Sequence, residues 1–176
     1  MTIHEMAEAV LVFIKANEAL AAPIVFVLAF GESMALIALL LPATVILWGV
    51  GALIGASGLS FWPIWLAAVL GAALGDWLSY WLGYHFHEPI SRMWPLSRHP
   101  QLIPKAHTFF EKWGALGVFI GRFFGPLRAA VPLVAGAVQM PQVPFQIANW
   151  TSALVWGFTT LGPGAFGIGW LGKLGQ

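Results

Sequence analysis

The chain has 176 residues, of which 59% are hydrophobic and 9% are charged. Soluble domains carry roughly 25% charged residues, so this composition excludes an ordinary water-soluble protein. A net charge of +1 and the lack of any basic run exclude a nucleic-acid-binding surface. The absence of cysteine excludes disulfides, thiolate metal sites and thiol nucleophiles. We therefore expect one integral membrane domain over residues 1–176.

The N-terminal segment, residues 3–20, is predicted to form an amphipathic helix on the membrane surface. Apolar residues recur in it at helical spacing, and charged residues fill much of the remainder. The alternative is an arm that packs on the rest of the protein. Glu5 and Glu8 stand where a secretory signal carries positive charge, so we expect no cleaved signal and a mature protein that starts at or near Met1.

The first uncharged stretch, residues 33–75, is too long for a single membrane span. Pro42 interrupts it, so we predict two arms, 22–41 and 43–56, that form a re-entrant hairpin over residues 22–56. The second arm would reach about 20 Å as a helix, short of the roughly 30 Å hydrocarbon core. Lipid cannot satisfy the free backbone groups of the tip near Pro42, so the tip must be buried or face a wet cavity.

A conventional span is predicted over residues 61–84, where Gly71 and Gly75 form a small-xxx-small pair typical of close helix packing. Four prolines interrupt the following segment, residues 85–112, which we predict to be a polar loop. Its four basic residues against two acids place it on the cytoplasmic side. The ends of the span carry aromatic residues, as expected at membrane interfaces. They are Trp62, Trp65, Trp77, Tyr80, Trp81 and Tyr84.

The segment 113–140 repeats the pattern of the first hairpin, with short apolar arms on either side of Pro126. We predict a second re-entrant hairpin, opposed to the first. Aligning Pro42 with Pro126 also aligns Val50-Gly51-Ala52 with Val134-Ala135-Gly136. An inverted repeat would produce such an echo, and inverted repeats bring broken elements together near the membrane midplane.

A last span is predicted over residues 143–172, where a break at Gly162-Pro163-Gly164 is an open alternative. With the span over residues 61–84, this gives two or more spanning helices. The predicted fold class is therefore all-α. We expect a polytopic integral membrane protein with two opposed re-entrant hairpins, an N-terminal amphipathic helix and no sheet.

Four charged residues are embedded in apolar sequence: Glu32, Asp76, Arg122 and Arg128. Because an unpaired charge in hydrocarbon is costly, all four should face inward. Two acids and two arginines sum to zero charge. One interpretation is therefore a salt-bridge network that only orients the hairpins, and the other is a functional site.

The functional interpretation begins with Arg122 and Arg128, which flank Pro126, so both guanidinium groups can converge at the second hairpin tip. The planar guanidinium suits bidentate binding of phosphate, and helix ends freed by a break add backbone donors. One face of the incoming arm is left bare by Gly117, Gly121 and Gly125. That face suits close helix packing or the approach of a bulky ligand.

Glu32 and Asp76 are candidate proton carriers. Burial and a neighbouring arginine shift the pKa of a carboxyl group in opposite directions, so a buried carboxyl beside an arginine can titrate near physiological pH. Glu32 is the stronger candidate because it lies in a predicted hairpin arm. Asp76 has the alternative of serving only as a partner for an arginine.

The histidines around the polar loop are a weak metal-site candidate, because no carboxylate joins them at a recognisable ligand spacing, and solvated or packing roles are the preferred interpretation. They are His85, His87, His99 and His107. A membrane enzyme would need a nucleophile beside a base, and the embedded segments contain no histidine. The chain is therefore expected to be neither an enzyme nor the holder of a cofactor.

From Gly121 to Gly157 the sequence resembles the DedA family, also called SNARE-associated or VTT-domain membrane proteins. Two shorter matching motifs lie in the first hairpin and in the span. The resemblance covers nearly the whole chain from Phe30 onward. The matching positions are Glu32, Leu41-Pro42, Gly75-Asp76, Tyr80, Gly83, Gly121-Arg122-Phe123, Pro126, Arg128, Pro132, Ala135-Gly136, Met140, Phe145, Asn149 and Trp156-Gly157.

The resemblance implies a bacterial inner-membrane protein whose opposed hairpins handle lipid phosphate. It implies return of undecaprenyl phosphate, the lipid carrier of cell-wall synthesis, across the membrane with dependence on the proton-motive force. Polyprenyl phosphate and protons are then the partners, and a homo-oligomer is left open. Essential acids and arginines match Glu32, Arg122 and Arg128. The positions expected to shape the hairpins are Pro42, Gly121, Gly125, Pro126, Pro132, Gly136 and Asn149.

Two departures bear on these expectations. Many members carry Pro-Gly-Asp or Pro-Gly-Glu where this chain has Pro42-Ala43-Thr44, so either Asp76 substitutes for the missing acid or the coupling differs. Tyr84 stands where a basic residue is usual, which removes a headgroup contact. Nonselective phospholipid scrambling and a structural role in membrane assembly are the alternative functions.

Overall fold

The computed structural model describes residues 3–34, 43–86, 102–124 and 127–174. These residues are helical throughout, apart from short turns, and include no strand. The all-α prediction is confirmed for them. The helices are α1 (Ile3–Ala16), a 3-10 turn (Glu18–Leu20), α2 (Ala21–Ser33), α3 (Ala43–Ser57), α4 (Phe61–His85), α5 (Leu102–Gly121), α6 (Leu127–Ala137) and α7 (Gln142–Leu174).

The span predicted over residues 61–84 is α4. Of the described helices, it is the one that is both long and apolar enough to cross a membrane by itself. The stretch Glu8–Ser33 is a second candidate only if its two halves, bent by 117°, count as one span. The predicted last span is the 33-residue α7, which runs through Pro163 without a break but does not meet the same criterion.

One predicted boundary in the first half is wrong. The N-terminal helix ends at Ala16 rather than at residue 20, because the chain turns there into the 3-10 segment. In the predicted first hairpin arm, α2 ends at Ser33, since Met34 adopts an extended conformation with φ −80° and ψ 122°. The rest of that arm and the predicted tip at Pro42 lie outside the described residues.

The prediction of a loop over residues 85–112 is wrong from Leu102 onward, where α5 begins. Pro104 lies in the first turn of α5, and a missing N–H breaks no helical hydrogen bond at that position. The arm predicted from residue 113 therefore belongs to a longer helix. Gly114 kinks this helix with φ 48° and ψ −127°, a backbone conformation that glycine tolerates.

The N-terminal helix packs on the protein. Ile14 is fully buried, and the Leu11 side chain contacts Gly49 of α3. Val12 and Phe13 on the opposite face stay 69% and 50% exposed. The interpretation of this segment as a packed arm thus fits the contacts, while its placement on a membrane surface stays a prediction.

The aromatic residues at the far end of α4 divide into two groups. Trp77, Trp81 and Tyr84 are exposed, as an interfacial belt requires. Tyr80 does not belong to a belt: it is buried, it stacks on Phe145 at 4.1 Å, and its hydroxyl donates to a backbone carbonyl of the turn before α7. Its role is to join α4 to α7.

The helices form two similar halves, α2–α4 and α5–α7. In each half the first arm packs along the long helix of its own half, so α2 lies on α4 and α5 lies on α7. The second arm packs along the long helix of the other half, so α3 lies on α7 and α6 lies on α4. The two long helices also contact each other. Such an exchange of arms is what an inverted repeat produces.

Individual contacts repeat at positions 84 residues apart, the offset that separates the two aligned prolines. Gly136 of α6 lies against the backbone of Tyr80 in α4. At the equivalent positions, Ala52 of α3 lies against Gly164 in α7. The internal similarity seen in the sequence is thus also present in the packing of α3 and α6, the second arms of the two halves.

Glycines set how closely the helices approach α4. A Cβ atom on Gly71 would lie 2.3 Å from the carbonyl oxygen of Phe26, and one on Gly75 would lie 2.6 Å from that of Phe30. The role of this pair in close packing is therefore confirmed, with α2 as the partner. On the other side of α4, Gly136 brings α6 equally close.

We predict that Gly136→Ala destabilises the protein, because its methyl group would lie 2.1 Å from the Tyr80 carbonyl oxygen and must force α6 away from α4. Overpacking of this kind costs roughly 1–3 kcal/mol. Thermal unfolding of purified protein in detergent measures the effect. Gly167→Ala is the matched control, since nothing lies within 4 Å of that added methyl group. Equal melting temperatures for the two variants would contradict the tight contact.

Candidate functional site

The four embedded charges predicted from the sequence come together between the two halves. Glu32 lies in the last turn of α2, Arg122 directly follows α5, Arg128 lies in the first turn of α6, and Asp76 lies within α4. Glu32, Arg122 and Asp76 are at most 6% exposed. Glu32, Arg122 and Arg128 therefore lie at or beside helix ends.

Each arginine is held by one acid. Arg128 pairs with Oε1 of Glu32, which also accepts a hydrogen bond from the hydroxyl of Thr44. Arg122 pairs with Oδ2 of Asp76. Both acids belong to the first half of the chain and both arginines to the second, so each ion pair crosses between the halves.

Side chains of α7 complete the surroundings of the arginines. Asn149, which is fully buried, accepts a hydrogen bond from Nη2 of Arg122 at 2.7 Å and donates one to the carbonyl of Ala73 at 2.9 Å. The guanidinium carbon of Arg128 lies 5.2 Å from the centroid of the Trp156 ring. This is a cation–π distance.

Both arginines line one small cavity together with Ser33 and Asp76, with a volume of about 10 Å³, the space of roughly one water molecule. Arg122 and Arg128 thus face the same cavity. Within the described residues, Nε of Arg122 and Oε2 of Glu32 are buried and have no hydrogen-bond partner. Arg122, which lines the cavity, thus keeps one N–H donor that no atom of the described residues accepts.

The other predicted site residues surround this cluster. Pro132 is buried within α6, and Gly121 lies against Val131 of the same helix. Asn149 was expected only to shape the hairpins, but its amide contacts Arg122 directly. Gly125 and Pro126 lie outside the described residues.

The contacts of Thr44 and Trp156 are not predicted by the sequence. Thr44 stands at the position of a missing acid, and its hydroxyl donates to Glu32. A neutral donor at this position satisfies the same carboxylate that a second acid would repel. Trp156 carries a signal that was present in the sequence: it lies seven residues after Asn149, on the same face of a helix.

The histidines do not form a metal site in the described part of the chain, which contains no group of three or more potential ligands. Nδ1 of His85 lies 3.0 Å from the carbonyl oxygen of Trp81, and His107 pairs with Glu111 on the exposed side of α5. His87 and His99 lie outside the described residues.

The fold and the site define a helical membrane protein with ion pairs buried where its helices break. The VTT domain family matches residues 41–166, and the chain belongs to this family, also called DedA. It is 42% identical over 132 residues to inner membrane protein YabI of Escherichia coli, covering 75% of this chain and 52% of YabI. No solved structure matches the chain.

Two further relatives are also membrane proteins of bacteria. The uncharacterized membrane protein BU139 of Buchnera aphidicola is 34% identical over 133 residues, covering 76% of this chain and 52% of that protein. Inner membrane protein YqjA of Escherichia coli is 33% identical over 145 residues, covering 79% and 64% respectively. The chain thus spans about half the length of the first relatives it matches, and it is a bacterial membrane protein.

We predict that Arg122→Gln destabilises the protein more than the double change Asp76→Asn with Arg122→Gln. Removing one partner of a buried ion pair costs about 3–5 kcal/mol because it leaves an uncompensated charge, whereas neutralising both avoids that cost. Denaturant unfolding in detergent measures the difference. Glu111→Gln, in a pair whose side chains are 57% and 66% exposed, is the control and should change little. A double variant as unstable as the single one would contradict a direct pairing.

Proposed function

We propose that the protein binds a lipid phosphate at the cavity between its halves and carries it across the membrane, with undecaprenyl phosphate as the substrate and protons as the coupling ion. The observation that carries the proposal is the pair of arginines, the buried Arg122 and the partly buried Arg128, that line one cavity while each is held by an acid. Buried charges of this kind mark substrate and proton pathways in membrane proteins.

The cavity offers the donors that a phosphate requires. Guanidinium groups bind phosphate oxygens with two parallel hydrogen bonds, and Arg122 retains an unpartnered Nε within the described residues. The helices α3 and α6 begin beside the cluster, with Thr44 and Arg128 in their first turns. The first N–H groups of a helix lack acceptors within it, so these helix ends favour an anion.

Proton coupling follows from competition for the arginines. A carboxylate and a phosphate oxygen compete for the same guanidinium, so a phosphate enters only when Glu32 or Asp76 gives up its partner. Protonation removes the charge of the acid, so the arginine can exchange it for a phosphate without leaving an unpaired carboxylate in a buried site. The lipid phosphate and the proton therefore load together, and they leave together when the acid ionises again.

The crossing of both ion pairs between the halves links binding to movement. Exchanging the acids for a phosphate releases the contacts that Glu32 and Asp76 make with the second half. Transporters built from inverted repeats expose a central site alternately by rocking one repeat against the other. We propose this motion here, with the arms α2–α3 and α5–α6 as two opposed re-entrant hairpins in a polytopic protein of the bacterial inner membrane.

A second candidate is nonselective phospholipid scrambling. Thr44 favours it, because this neutral residue takes the place of an acid that many family members carry, and scrambling requires no proton-binding acid at that position. Headgroup selectivity separates the two functions. We propose transport rather than catalysis because the polar groups of the cavity pair with one another and form no arrangement of nucleophile and base.

Arg122→Lys and Arg128→Lys should each weaken binding of undecaprenyl phosphate by about tenfold, since lysine keeps the charge but loses one charge-assisted hydrogen bond. Binding to detergent-purified, folded protein is the measurement. Neutralising Arg122 together with Asp76 should not restore binding if the arginine contacts phosphate. Rescue by that double change, or wild-type affinity in a folded Arg122→Ala, Arg128→Ala variant, would end the phosphate-binding proposal.

Binding of the lipid phosphate should strengthen as the pH falls, because protonated carboxyl groups release the arginines. Glu32→Gln mimics the protonated form, so this variant should bind more tightly at pH above neutrality and show a flatter pH profile. The titration of the lipid itself is common to both proteins and cancels in the ratio of their affinities. A pH profile identical to that of the wild type would remove Glu32 from the coupling role.

A further inference from the structure

We infer that α7 supplies two positioning residues, Asn149 and Trp156, that hold the two arginines in place for the phosphate. The inference rests on the proposed function and deepens it. Asn149 accepts a hydrogen bond from Arg122 at 2.7 Å, and the Trp156 ring lies against the guanidinium of Arg128 at 5.2 Å. Asn149 is fully buried and Trp156 is 6% exposed, so both positioning residues are shielded from solvent.

The spacing of the two residues makes α7 a single rigid support. Positions seven residues apart lie on the same face of an α-helix, about two turns or 10 Å apart along its axis. Both contacts occur within one unbroken helix, Gln142–Leu174. The separation of the guanidinium groups of Arg122 and Arg128 is therefore set by one element rather than by two independent ones.

The contacts between α7 and the arginines lie within one half of the chain, whereas the ion pairs with the acids join the two halves. Arg122 and Arg128 belong to the second half, as α7 does, whereas Glu32 and Asp76 belong to the first. When the acids release the arginines, the contacts to α7 persist within the second half. The arginines then meet the phosphate already oriented, which lowers the entropy cost of binding.

The chemistry of Asn149 and Trp156 suits this task. An amide and an indole do not titrate at physiological pH, so the proton exchange that frees the arginines leaves both contacts intact. The amide nitrogen of Asn149 also donates to the carbonyl of Ala73 in α4 at 2.9 Å, which orients the amide while the two halves are together. Trp presents the most favourable ring face for a cation.

Ser152 supplies a matched control for a merely structural role. It lies between the two residues on α7, it is also fully buried, and its hydroxyl donates to the Asn149 carbonyl of its own helix at 3.1 Å. The Ser152 hydroxyl thus donates to the backbone rather than contacting an arginine. A substitution at Ser152 perturbs the same helix face without removing a contact to Arg122 or Arg128.

The test is binding of labelled undecaprenyl phosphate to purified variants, with thermal unfolding measured in parallel. Asn149→Leu and Trp156→Leu should each weaken binding about tenfold, whereas Ser152→Ala should bind as the wild type does. Trp156→Phe keeps an aromatic face and should stay within about threefold of the wild type. If Asn149→Leu does not fold, Asn149→Asp keeps the size of the side chain. It should also weaken binding, because its charge competes with the phosphate for Arg122.

Coupling between variants distinguishes positioning from packing. In an Arg122→Ala background, Asn149→Leu should cost less than about twofold in affinity, while Trp156→Leu keeps its full effect. In an Arg128→Ala background Trp156→Leu should cost less than about twofold in affinity, while Asn149→Leu keeps its full effect. Wild-type affinity in the folded Asn149 and Trp156 variants, or an equal loss in Ser152→Ala, would overturn the positioning role while the proposed function stands. Absence of lipid phosphate binding by the wild-type protein would overturn both.

Discussion

The arrangement of this protein depends on the cost of burying four charges in an apolar environment. Glu32, Asp76 and Arg122 are buried and the Arg128 side chain is only 15% exposed, so each charge needs a partner of opposite sign. Because the acids come from the first half and the arginines from the second, the requirement is met only when the halves are together. Charge neutrality thus constrains the assembly of the whole domain and places its polar groups at one point.

The exchange of arms between the halves allows the acids of one half to reach the arginines of the other. Each second arm packs on the long helix of the opposite half, with small residues at the contacts of α3 with α7 and of α6 with α4. The halves are therefore similar in packing but different in chemistry. Thr44 occupies the position equivalent to Arg128, two residues after the aligned prolines. A repeat that was symmetric in its charges would place like charges together, whereas this one pairs opposite charges.

The sequence predicted the parts that local signals control. The long apolar run with aromatic ends predicted α4, and the break at Pro126 predicted that Arg122 and Arg128 converge. The start of α5 was missed because Pro104 reads as a helix breaker but lies in a first turn, where it is tolerated. The choice of acid for each arginine could not be predicted, since it depends on which helices cross. The contact of Asn149 with Arg122 depends on the same tertiary packing.

The most direct test of a phosphate site between the halves is transbilayer movement in liposomes that contain the purified protein. Labelled undecaprenyl phosphate and a labelled phosphatidylcholine would be followed side by side across a pH gradient. We expect the wild-type protein to move the lipid phosphate selectively and the gradient to change the rate. A folded Arg122→Ala, Arg128→Ala variant should not move it. Equal movement of both lipids, or undiminished movement of the lipid phosphate by the double variant, would contradict a phosphate site between the halves.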